Sequence, residues 1–131
     1  HKHDAVLLAD GRILLTGGSD ERDESGRYDT SEIYAPDTGV FTAGPRLRQK
    51  RYKHFGTSLR LPNGDVLLLG GAAAPERFDA ATQDLLPLPG YNFAANESYA
   101  AAAMAAHGHV LFCGGYNQGI VASSATWLIL P

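Results

Sequence analysis

An all-β chain made of repeated four-stranded antiparallel sheets is what this sequence predicts, and three observations carry the prediction. Three Gly-Gly pairs, Gly17-Gly18, Gly70-Gly71 and Gly114-Gly115, each close an apolar run, and each begins six residues after another glycine, at Gly11, Gly64 and Gly108. Aligned on those glycines, residues 9–18, 62–71 and 106–115 read as one hairpin turn and strand written three times. Beyond the double glycine the repeat continues: Tyr34 and Phe78 correspond, Phe41 and Leu85 follow each by seven residues, and a polar turn lies between.

A repeat with a period of about 40–53 residues is the signature of propeller blades, each a small antiparallel sheet that buries its faces against its neighbours. The first strand of each unit falls in residues 4–8, 57–61 and 99–104, and the second is the run before each double glycine. The third strand carries Tyr34, Phe78 or Trp127, and the fourth carries Phe41 or Leu85. Asp10-Gly11 and Asn63-Gly64 are strong hairpin signals, because two-residue type I′ turns need positive φ at both central residues. The second strand is apolar on both faces, as in Val66 to Leu69, which is the pattern of a strand sandwiched between sheets. Residues 100–106, rich in alanine, are expected as strand against alanine's helical preference. Tyr34, Phe78 and Trp127 are expected in the core. The whole of 1–131 reads as one partial domain, with blade one over about 1–43, blade two over about 54–88 and an incomplete blade three over about 98–131.

This pattern resembles the Kelch-repeat family of β-propellers: a strand ending in Gly-Gly, a variable loop, an aromatic, and a second aromatic about seven residues on. Gly17, Gly18, Tyr34 and Phe41 match it in the first unit; Gly70, Gly71, Phe78, Asp79 and Leu85 match it in the second. Phe41 and Leu85 stand where the family usually has Trp, and Ala35 replaces the Asp after the tyrosine. The resemblance implies four-stranded antiparallel blades in an incomplete ring, and it speaks for fold far more than for activity. Some propellers of this kind belong to enzymes, galactose-oxidase-like oxidoreductases and sialic-acid-processing proteins among them. Neither set of catalytic residues maps onto this chain. Because propellers close with four to eight blades, the remaining apolar faces call for further blades of a longer chain or for self-association.

Composition narrows the partners. The chain is 44% hydrophobic and 19% charged with a formal net charge of -3, which offers no general attraction to nucleic acid or to an anionic membrane. No run approaches the roughly 20 apolar residues a membrane helix needs. The single cysteine, Cys113, lies in a buried-type strand and reads as a small core residue; the compartment is left open. There is no nucleophile elbow, zinc-protease motif or phosphate-binding loop, so no catalytic residue and no cofactor are expected.

Strand alternation sorts the connections onto two ends. Short turns join strands one to two and three to four; the other end carries the variable loops 19–30, 44–53, 72–75, 89–98 and 116–123. Loops on a rigid scaffold are where binding residues concentrate. Two of these loops are oppositely charged, with Asp20, Glu21, Asp23 and Glu24 in one and Arg46, Arg48, Lys50, Arg51 and Lys53 in the other. Mutual salt-bridging is the plain expectation, and a basic rim for an acidic peptide or a carboxylated sugar is the functional one. Rings and amides gather in 89–99 and 116–118; aromatic faces stack on sugars or peptide side chains, and amides both donate and accept. The candidate binding residues are therefore Arg46, Arg48, Arg51, Tyr52, Tyr91, Asn92, Phe93, Asn96, Tyr116 and Asn117, on a noncatalytic scaffold for a protein, peptide or glycan. Against this stands the plainer expectation that Tyr91 and Phe93 fill the gap between blades. His1, His3 and His54 align near the starts of neighbouring first strands, but polar residues there more often join blades by hydrogen bonds, so no metal site is expected.

Overall fold

The computed structural model describes residues 1–93 and 96–131. They form three separate antiparallel sheets that stack in chain order without closing, with no α-helix among the described residues. The first sheet holds β1 (Asp4–Leu7), β2 (Ile13–Thr16), β3 (Ser31–Ala35) and β4 (Val40–Ala43). The second holds β5 (Ser58–Arg60), β6 (Val66–Leu68), β7 (Glu76–Phe78) and β8 (Leu85–Pro87). The third has three strands, β9 (Ala101–Met104), β10 (Val110–Cys113) and β11 (Thr126–Ile129). Each strand pairs with its sequence neighbours, and β1, β5 and β9 lie side by side from sheet to sheet. The expected strand over 100–106 is β9 in its middle, and residues 106–108 turn out of it in a short 3-10 segment.

Alternation explains the layering. Val66, Leu68, Phe78 and Leu85 point from the second sheet into a core with Leu8, Leu14, Ile33 and Leu47. From its opposite face, Leu67 and Leu69 join Phe93, Val110, Phe112 and Ile129. Val66 to Leu69 are all fully buried, which is why that run is apolar on both faces. The outer sheets each keep one open face. On the first, Leu7, Ile13, Tyr34 and Phe41 stand in one cross-strand row, with Leu7 and Phe41 more than half exposed; on the third, Leu111 and Leu128 pair on the open side.

The register corrects one assignment. Ile13 pairs with Tyr34 and Val66 with Phe78, so the counterpart in the third sheet is the partner of Val110, which is Ile129 rather than Trp127. Trp127 pairs with Phe112, two residues away on the same face, in the row that Glu76 occupies opposite Leu68. A period of two cannot distinguish positions two apart. Of the three expected core aromatics Phe78 is buried, whereas Tyr34 on the open face and Trp127 are half-buried.

The hairpin turns also differ from expectation. At Gly11 and Gly64 only the glycine has positive φ, 89° and 95°. The bonds from Gly11 N to Leu8 O and from Gly64 N to Leu61 O close an ordinary turn that the glycine then leaves as a bulge. The side chains of Asp10 and Asn63 explain the choice, since each accepts from the backbone N–H two residues on, at Arg12 and Asp65. The third turn has both central residues at positive φ, His107 at 61° and Gly108 at 77°, as type I′ requires.

Candidate functional site

The double glycines assemble the loop end of the molecule. A Cβ on Gly18, Gly71 or Gly115 would overlap the carbonyl of His1, Tyr52 or Ser98 in the loop that leads into the same sheet's first strand. A Cβ on Gly17 would overlap the carbonyl of Arg51, and one on Gly70 would press on that of Glu97, both in the loop leading into the following sheet. So the first glycine admits the next unit's loop and the second admits its own. The N–H of Gly18 donates to Arg51 O at 2.8 Å, and that of Gly71 to Glu97 O at 3.3 Å.

Immediately after these carbonyls stand three equivalent residues, Lys2, Lys53 and Tyr99, all left-handed with φ of 60°, 52° and 54°. Left-handed backbone costs a non-glycine residue about 1 kcal/mol, and here it is held by bonds between units: Lys53 N donates to Lys2 O at 2.9 Å and Tyr99 N to Lys53 O at 2.8 Å. The three thus form a rim running across the sheets where their first strands begin.

Side chains on this rim make one aromatic surface. Phe55 and Tyr99 meet edge to face with centroids 5.3 Å apart, and Tyr99 meets Tyr116 at 5.6 Å. The Lys53 ammonium lies 4.9 Å from the Tyr52 ring centre and 5.9 Å from that of Tyr116, and Arg27 covers Tyr52 at 5.6 Å. Burial opposes the Lys53 charge, but the Tyr52 and Tyr116 phenols and the Asp23 carboxylate outweigh it and hold the ammonium above its ordinary value. Phe55 is 55% exposed and Tyr99 40%, so the ladder offers ring faces and edges to a ligand while its base is fixed.

The candidate residues read from sequence divide accordingly. Tyr116 belongs to the ladder, and Asn117 caps its own loop by accepting from Val121 N at 3.0 Å. Tyr52 lies beneath the ladder, buried, as the ring that Lys53 and Arg27 cover. Arg46 is exposed and pairs with Asp29 at 2.9 Å; Arg48 is exposed, and its backbone N–H donates to Glu76. Arg51 is fully buried and presents nothing to solvent: its guanidinium donates to the carbonyls of Leu69, Gly70 and Ala74 and pairs with Glu76 at 3.2 Å. Burial pulls its pKa down and the Glu76 carboxylate pushes back. Phe93 is likewise fully buried, packed on Phe112 and Trp127, and the half-buried Tyr91 accepts from Leu130 N through its hydroxyl, so this pair fills the gap between the second and third sheets. Asn92 is exposed and Asn96 half-buried, apart from the ladder's ring contacts. Sequence reading placed Lys53 in the basic loop and Tyr99 in the ring-rich stretch 89–99 without choosing either as a binding residue, and it passed over Phe55. Their signal was positional, since Lys53 and Tyr99 follow equivalent places in the repeat.

Two ion pairs join the acidic and basic loops among the described residues, Lys53 with Asp23 at 3.5 Å and Arg46 with Asp29 at 2.9 Å, while Lys2 also reaches Asp23 at 2.5 Å. His54 is buried with its Nε2 3.1 Å from the Thr16 hydroxyl across the first seam. Burial, then the charges of Arg51 and His3, put its pKa well below 6.5. Among the described residues no three His, Cys, Asp or Glu side chains are gathered to hold a metal. Neither a protein-family model nor a curated protein sequence matches this chain.

Proposed function

We propose that the chain is a noncatalytic recognition scaffold, built of Kelch-type propeller blades, which binds a protein, peptide or glycan on its loop end. The observation that carries this reading is the exposed ladder Phe55–Tyr99–Tyr116 with the Lys53 ammonium set among its rings. Rings held on a rigid rim lose little conformational entropy on binding, and their faces suit sugar rings and apolar side chains alike. Lys53 adds a positive centre at the same place, which favours acidic peptides and carboxylated sugars over neutral ones. The blade reading is supported by first strands lying side by side and by short turns gathered at the opposite end, where Gly64 sits against Ala9 and Gly108 against Pro62.

An array of glycans and acidic peptides probed with the chain tests this directly. Binding that falls at least about tenfold in a Phe55→Ala/Tyr99→Ala variant of unchanged melting temperature supports the ladder as the site. No binding, or binding indifferent to both substitutions, contradicts it.

The same reading requires cover for the open sheet faces. Ile13, Leu15, Tyr34 and Phe41 on the first sheet are the repeat counterparts of Val66, Leu68, Phe78 and Leu85, which the second sheet buries against the first. Leu111 and Leu128 on the third are counterparts of Leu14 and Ile33, the other half of that same contact. The two open faces are therefore complementary in kind, and further units of this repeat, in a longer chain or a second copy, fit both.

A further inference from the structure

Arg51 and Glu97 occupy the same place in successive units, for each carbonyl accepts from the second glycine of the preceding sheet and each side chain is buried. Around Arg51 the corner of the second sheet is a cradle for a cation: three backbone carbonyls, from Leu69, Gly70 and Ala74, and the Glu76 carboxylate, all directed at one guanidinium. In the third unit both charged members of that cradle change. Glu97 brings a carboxylate where the guanidinium stood, and Trp127 takes the row of Glu76.

The Glu97 carboxylate lies in the third sheet's own corner. Its Oε1 accepts from the Ser123 hydroxyl at 3.3 Å, and Ser123 N is bonded to Gly115 O at 2.9 Å, next to the bond from Gly114 N to Ala125 O. Its Oε2 is buried with no hydrogen-bond partner among the described residues, although the residue is only 2% exposed. A carboxylate oxygen left so, in a corner whose counterpart gathers carbonyls around a positive charge, calls for a positive partner. We propose that this corner binds calcium, with Glu97 as the charged ligand, the Ser123 hydroxyl beside it, and the carbonyls of Cys113 and Gly114, the repeat counterparts of Leu69 and Gly70, completing the set. All the donors are oxygens, which suits calcium and not zinc, and the irregular loop geometry suits its flexible coordination better than magnesium's strict octahedron. With one carboxylate the affinity belongs at the weak end, about 10⁻⁴–10⁻³ M.

Terbium, a luminescent stand-in for calcium, tests the site on the whole chain, because Tyr116 is bonded to Ser98, the neighbour of Glu97, and Trp127 stands in the row of Glu76, so that either ring can sensitise it. The wild type is expected to give sensitised emission that millimolar calcium displaces, and calcium is expected to raise the melting temperature by about 5 °C. Glu97→Gln is expected to lose both effects. Ser123→Ala, a milder change, is expected to raise several-fold the calcium concentration needed for half the shift. Absence of any calcium effect on the wild type, or an undiminished effect in either variant, overturns the proposal.

Discussion

The two seams between the three sheets are built from one repeat and held by unlike chemistry. At the first seam apolar packing is pinned by polar groups. Asp4, buried at the end of β1, accepts from Gly56 N at 3.0 Å and Ser58 N at 2.8 Å; His54 meets Thr16, and the Arg60 guanidinium donates to Leu8 O. Arg51 and Glu76 lock the corner beside it. At the second seam the polar pins give way to rings: Phe93 packs on Phe112 at 4.7 Å and on Trp127 at 4.9 Å, and Thr57, in the place of Asp4, makes no such bond to β9 among the described residues, its hydroxyl serving His54 O and Gly70 N instead. The repeat dictates where sheets meet, through glycines that let carbonyls approach. What fills the meeting place is free to vary.

Truncating the aromatic seam gives the largest expected loss. Phe112→Ala, at a fully buried site between two rings, is expected to cost about 3–5 kcal/mol in denaturant unfolding, and Trp127→Ala on the order of 3 kcal/mol. A loss under about 1 kcal/mol at Phe112 would mean that the second seam is not packed as described. The polar seam is expected to answer differently. Glu76→Leu alone strands a buried guanidinium and is expected to cost about 3–5 kcal/mol, whereas adding Arg51→Met is expected to recover only part of the stability, because it removes the stranded charge but leaves the Leu69, Gly70 and Ala74 carbonyls without their donor. Equal losses in the single and double variants would show that the corner contributes by something other than the pair.

Acid separates the seams more gently. His54 has its folded pKa below the unfolded 6.5, so the neutral ring's contribution is present above that value and is lost as pH falls below it toward the folded value. The melting temperature of the wild type is expected to drop below pH 6.5 more steeply than that of His54→Gln. Parallel profiles would remove His54 from the seam's pH response. The smallest effect is expected at the surface: Arg46→Ala, which frees Asp29, is expected to change stability by less than about 1 kcal/mol in thermal unfolding.

Much of this architecture was legible from the chain. Glycine spacing located the second strand of each unit, and the residues seven apart lie on third and fourth strands that the structure pairs, with Tyr34 opposite Phe41 and Phe78 opposite Leu85. Trp127 was misplaced by two because alternation marks a face and not a position along it, and the third sheet offers no fourth strand to fix the register. Arg51 was hidden for a different reason. Arginine is almost never buried without a partner, and its partner Glu76 lies on β7, which only folding brings near. Within the site, Tyr116 was visible as an aromatic in a loop. Lys53 stood in the basic loop and Tyr99 at the end of the ring-rich stretch 89–99, but their meeting with Phe55 was not visible, because it depends on the left-handed rim that joins successive units.

Sedimentation equilibrium on the purified chain tests most directly whether these are stacked sheets with complementary open faces. The wild type is expected to associate at micromolar concentration or to aggregate. Phe41→Glu and Leu128→Glu, which charge one open face each, are both expected to be monomeric alone and to form a one-to-one pair when mixed, since each retains the face the other has lost. A wild-type chain that stays a stable monomer and binds no apolar dye would contradict the stacking.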